Sequence, residues 1–139
     1  MTPEPDDSLR AIFGEPIYTF TRRQAIEDGQ LVDVTPWADG RSILGGGFKV
    51  PVAFTRALWS AVNAIPERLR GVADVRGRAH DVLWMALVAC RRARHNANVT
   101  FKVILPRDAE RGNTVELLAN CGPDDDGKPC VTIGFGCDF

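Results

Sequence analysis

From Arg78 to Leu105 the chain reads RAHDVLWMALVACRRARHNANVTFKVIL, and inside that stretch the apolar period changes. In its first half Ala79, Val82, Leu83, Ala86, Leu87, Cys90 and Ala93 recur at steps of three and four. That spacing predicts a helix from about Arg78 to Arg94 with one apolar face. Arg91, Arg92, Arg94 and His95 crowd its last turn, where positive charge favours the negative end of the helix dipole. From Val99 the step becomes two. Val99, Phe101, Val103 and Leu105 alternate with Thr100, Lys102 and Ile104, the pattern of a strand with one buried face.

The alternation returns at Val115, Leu117 and Ala119, and again at Val131, Ile133 and Phe135. Charged or polar turns, Pro106–Gly112 and Cys121–Pro129, separate the runs. Three consecutive strands with short connections make an antiparallel meander. Upstream, Thr21 fits an N-cap and Gln24 completes a capping box, with Gly29 placed to end a short helix. Leu31–Thr35 follows as a brief extended segment that Pro36 ends, and Ile17–Phe20 is a further β-prone run. The glycines at 45–47 predict a mobile loop. Pro51 fits the first turn of a helix running to Ile65, with Phe54, Leu58, Ala61, Val62 and Ile65 buried and Trp59 at the margin. The expected fold class is α+β: two main amphipathic helices packed on an antiparallel sheet with a C-terminal three-stranded meander. Residues 1–13 read as a flexible arm and 14–139 as a single domain.

Composition narrows the function classes. With 17 basic against 18 acidic residues, wholesale attraction to nucleic acid or anionic membrane is not implied. The acidic, proline-containing start is not a signal peptide, and the apolar run Val82–Cys90 is far too short to span a bilayer. The four cysteines are therefore expected to be reduced, in a cytoplasmic protein.

No motif commits the chain to catalysis. Cys121, Cys130 and Cys137 contain no CxxC pair, and neither histidine lies near them in sequence, so no metal site is expected. Cys121 and Cys130 would approach each other if their strands pair as a hairpin. Asp124-Asp125-Asp126-Gly127 lacks the alternating ligands of a calcium loop and reads as a hairpin turn. Gly45-Gly46-Gly47-Phe48-Lys49 lacks the order of a phosphate-binding loop, and no serine sits in a nucleophile elbow. His80 and Asp81 are adjacent on a helix, about 100° apart, and cannot act on each other directly. No cofactor is expected. The arginines offer more: Arg22 and Arg23, Arg76 and Arg78, and Arg91, Arg92 and Arg94 would form one anion-attracting patch if the helix ends lay together.

Four spaced blocks carry a resemblance. They are IYTFTRRQAIEDGQLVDVT at 17–35, GFKVPVAFT at 47–55, Arg76-Gly77-Arg78 with Asp81-Val82-Leu83-Trp84-Met85, and Cys121–Gly127 with Val131-Thr132-Ile133. Together they resemble an uncharacterised family of short bacterial proteins, scattered over plasmids, phages and other mobile elements. Relatives commonly carry an aromatic or aliphatic residue at His80 and an apolar one at Cys130, which weakens a catalytic or metal role for either. The resemblance implies no known activity. Its setting favours a non-catalytic binding protein of a mobile genetic element, an inhibitor of a host defence complex of the anti-CRISPR or antirestriction type. A nucleic-acid accessory protein using the arginines and a small enzyme of unnamed reaction stand as alternatives. The candidate interaction residues are Arg22, Arg23, Asp28, Asp33, Arg76, Arg78, Asp81, Trp84, Arg91, Arg92 and Arg94, and Trp37 and Trp59 would mark a contact surface if exposed. The expected partner is a host or element-encoded protein complex, with nucleic acid as the alternative and no membrane.

Overall fold

The computed structural model describes residues 21–38, 47–93, 96–106 and 114–139. The expectations for the N-terminal arm, for Ile17–Phe20, for Gly45 and Gly46, for Arg94 and His95 and for most of the Pro106–Gly112 turn lie outside them. Helix α1 (Arg22–Glu27) leads into strand β1 (Leu31–Asp33) and a helical turn, α2 (Thr35–Ala38). Strand β2 (Val52–Thr55) runs directly into α3 (Arg56–Asn63), and the long helix α4 (Val75–Arg92) follows. Strands β3 (Asn98–Ile104), β4 (Thr114–Pro123) and β5 (Pro129–Gly134) complete the chain, with a closing 3-10 turn at Gly136–Asp138.

The fold is α+β. Its sheet has five strands in the order β1-β2-β5-β4-β3. The meander β3-β4-β5 is antiparallel throughout, as is the β1–β2 pair. The departure is at β2, which pairs with β5 in parallel, so the sheet is mixed. Its cause is a misread element. Residues 51–55 were expected to open a helix, but Val52–Thr55 is a strand buried at all four positions. A strand covered on both faces shows no polar alternation, and four consecutive buried residues match either element. The helix begins only at Arg56, where the Thr55 side chain accepts from the Leu58 N–H as N-cap.

Residues directly opposite one another share a face, so the registers trace rows across the sheet. One row runs Val99, Ala119, Ile133, Phe54, Val32. Val99 is buried, and the other four belong to, or pack against, one cluster with Leu58 and Val62 of α3 and Ala79, Val82, Leu83, Ala86 and Leu87 of α4. The neighbouring row, on the other face, runs Asn98, Asn120, Thr132, Ala53, Asp33. It is largely polar, and Asn120 donates to Asn98 Oδ1 at 2.7 Å. The core thus lies on one face of the sheet.

Helix α4 starts earlier than expected. Asp74 is its N-cap, accepting from the Gly77 N–H at 2.7 Å, and the helix ends at Arg92. Pro36 was expected to end the extended segment and instead sits inside α2, where its missing N–H costs nothing. No helix among the described residues is long and apolar enough to cross a membrane.

Candidate functional site

The sequence-derived residues separate into those that build the fold and those that face outward. Arg78 belongs to the first group. Its side chain is buried, and its guanidinium donates to the carbonyls of Val62, Ala61 and Pro106. Burial lowers its pKa from the ordinary arginine value, while nearby Asp81 pulls the other way. Asp33 accepts from the Thr35 N–H and hydroxyl and closes the β1–α2 turn. Asp28 is the C-cap of α1 and accepts from the Gln30 side chain. Trp37 and Trp59 are half-buried and pack as a tilted pair, with ring centroids 5.7 Å apart and planes at 46°, and the Arg76 guanidinium lies 5.4 Å from the Trp37 centroid. They are packing, not a free aromatic surface.

Among the described residues the arginines do not all gather into a single patch. Arg76 and Arg78 lie in the first turn of α4, and Arg91 and Arg92 in its last. An 18-residue helix spans about 27 Å. Arg22 and Arg23 sit where the N-terminus of α1 meets the β4–β5 turn. The three aspartates of that turn divide the labour. Asp124 Oδ1 accepts from the N–H groups of Asp126 and Lys128 and shapes the hairpin, with Gly127 at φ 79°. Asp125 accepts from the Arg22 and Arg23 backbone N–H groups, at 2.8 and 3.0 Å, and so holds the first turn of α1. Arg23 approaches Asp126 at 3.8 Å in an exposed pair that contributes little. The Arg22 guanidinium crosses to the Thr132 hydroxyl and the Val131 carbonyl on β5.

That clasp has a pH signature. The two backbone donors, Arg23 first, hold the Asp125 carboxyl below its usual range. Because the folded carboxyl is the more acidic, its contribution is present above the ordinary aspartate range and is lost as the pH falls through the lowered value. The Arg22 and Arg23 amides are expected to lose hydrogen-exchange protection in acid, after correction for intrinsic rates, while α4 keeps its own. Asp125→Ala should reproduce the loss at neutral pH, and protection unchanged in both cases would rule the clasp out.

The cysteines do not converge as a hairpin pair. Cys121 lies opposite Val131 and Cys130 opposite Gly122, so successive alternation turns their side chains to opposite faces. Cys121 instead neighbours Cys90 of α4. Burial and that neighbouring thiol push Cys90 up to about 12, and burial also raises Cys130. No group of three or more metal-ligating side chains stands together among the described residues.

Two sequence-derived residues, Asp81 and Trp84, meet in a groove. It lies between α4 and β3, is about 310 Å³ in volume, and is lined by Asp81, Trp84, Met85, Lys102, Val103, Ile104 and Thr114. Trp84 is 36% exposed, Met85 37% and Ile104 66%. Helical geometry explains the first two: Val82, Leu83, Ala86 and Leu87 point inward, so positions 84 and 85 fall on the outer flank. Ile104 is the residue that alternation turns away from the core at the end of β3. Met85 and Ile104 were missed as candidates because each reads as one more apolar residue of an amphipathic element. A usable signal existed: Trp84 and Met85 are apolar residues outside the stripe.

A family model matches residues 12–138 of the chain, spanning every element above. The chain belongs to the family of unknown function DUF6573. No curated protein and no solved structure matches it. In this DUF6573 member, distant sequence blocks are joined by contacts: Arg22 and Arg23 are clasped by Asp125, and Phe54 pairs with Ile133. Part of what these stretches encode is architecture, and Asp81, Trp84 and Met85 are among their outward residues.

Proposed function

We propose that this protein is a non-catalytic binding protein that engages a protein partner through the groove between α4 and β3. The observation that carries the reading is the exposed cluster of Trp84, Met85 and Ile104 around one concave site. Tryptophan is enriched at interface hot spots, and methionine adapts its shape to a partner. In the mobile-element setting that the sequence resemblance implies, the partner is a host defence complex that the protein inhibits by occupancy. The separation of the arginines along α4 disfavours the nucleic-acid alternative.

The test is capture by the tagged protein from nuclease-treated host lysate, run beside a Trp84→Ser/Ile104→Ser variant of equal thermal stability. The expected result is a stoichiometric protein partner whose recovery falls about tenfold or more in the variant. A partner held equally by both proteins would move the site elsewhere on the surface. Recovery that disappears with nuclease would transfer the reading to nucleic-acid binding.

A further inference from the structure

The groove has a second wall made of backbone. β3 ends the sheet order, with β4 as its neighbour on one side among the described residues. The ladder fixes which of its groups are committed. The Cys121 N–H donates to the Ala97 carbonyl at 2.7 Å, which makes that pair a hydrogen-bonded one in the β3–β4 register. Antiparallel pairs alternate, so Val99, Phe101 and Val103 also bond to β4. The N–H and C=O groups of Asn98, Thr100, Lys102 and Ile104 therefore point away from β4, along the outer edge. All four side chains are exposed. Edges of this length are usually blunted by proline, a bulge or several charges. Here Lys102 is the one charged residue in the strand.

We propose that the partner enters the groove as an extended segment that adds to the β3 edge as a sixth strand, held between that edge and the flank of α4. The inference rests on the proposed binding role of the groove and specifies its occupant. Alternate side chains of an added strand would face α4, and Trp84 and Met85 require these to be apolar. On that same side Asp81 calls for a basic residue towards the groove end it lines. The intervening side chains would lie beside Lys102 and Ile104, which call for an acidic residue and an apolar one. The occupant is thus an extended segment whose α4-facing side chains are apolar with a basic residue at one end, and whose intervening side chains include an acidic and an apolar one, not an amphipathic helix. A helix would leave the outward backbone groups of β3 without partners.

The test uses a phage-displayed library of random 12-residue peptides, panned on the immobilised full-length protein, with enriched peptides then synthesised. Two perturbations read the binding mode. Thr100→Pro removes one outward N–H and leaves the β4 ladder intact, a place where an edge strand tolerates proline. N-methylation along the peptide, one residue at a time, reads the same bonds without altering the protein. The expected result is a consensus with two-residue periodicity and about tenfold or greater weakening by Thr100→Pro. N-methyl groups should be harmful at one alternate set of positions and tolerated at the other. Peptides that lose binding in Trp84→Ser but are indifferent to Thr100→Pro and show no N-methyl alternation would overturn strand addition and leave the groove as the site. No enriched peptide, or peptides indifferent to Trp84, would overturn both.

Discussion

Arg78→Met is expected to lower stability by about 3 kcal/mol and the melting temperature by roughly 10 °C, without touching the groove. The guanidinium donates to Val62 at 2.9 Å, Ala61 at 3.1 Å and Pro106 at 2.9 Å. The first two carbonyls belong to the last turn of α3: that of Ala61 also accepts from the Ala64 N–H at 3.3 Å, while that of Val62 has Pro66, which carries no N–H, four residues on. No left-handed glycine cap stands there; the C-cap, Ala64, has φ −83° and ψ 69°. Arg78 takes that part, and its charge also suits the negative end of α3. The third carbonyl follows β3, so one side chain joins α3, α4 and the end of a strand. Methionine fills a similar apolar volume but donates nothing, leaving part-buried acceptors whose desolvation is uncompensated. Arg78→Lys should recover less than half of the loss, because one ammonium cannot match a planar fork aimed at two elements. Urea unfolding followed by circular dichroism measures both. A loss below about 1 kcal/mol in the methionine variant would mean that water replaces the guanidinium.

This role was not legible from the sequence, where Arg78 looked like one more member of a surface arginine group. Composition places arginine outside, and only the fold shows where α3 ends and which side chain reaches it. The meander and α4 were legible because each is covered on one face, so the period survives in the residues: β3 alternates buried and exposed at every position. The Thr21–Gln24 capping box was also legible, since both of its bonds are local, and both are present. β2 was not, because its four residues are all buried and Thr55 acts as strand end and helix cap at once. With β2 read as helix, its parallel partner could not be inferred. The groove was half legible: Asp81 and Trp84 were singled out, while the edge that makes them a groove depends on which strand ends the sheet.

Gly134→Ala is expected to be the other severe substitution, at about 2–4 kcal/mol, and its severity comes from Thr55. Gly134 continues the parallel register of β5 beside Thr55, and a methyl group on it would stand 2.6 Å from the Thr55 hydroxyl and 2.8 Å from Asp138 Oδ2. It would also overlap the Thr55 methyl. Neither neighbour can yield cheaply. The Thr55 hydroxyl caps α3 through the Leu58 N–H and donates to Asp138 Oδ2 at 2.7 Å. The same carboxylate oxygen accepts from the Phe135 N–H at 2.8 Å and fixes the closing 3-10 turn. A displaced Thr55 loses the cap and the Asp138 bond together, and the strand itself is buried on both sides. Two further variants separate the contributions. Thr55→Val keeps the volume but removes the hydroxyl, and should cost about 1–2 kcal/mol. In the Thr55→Ala background Gly134→Ala should become much milder, because both Thr55 atoms are gone and Asp138, freed of its Thr55 bond, is the one close neighbour left, so the double loss should fall well short of the sum of the two single losses. Additive losses across that cycle would show that Gly134 is needed for its backbone and not for the space beside Thr55.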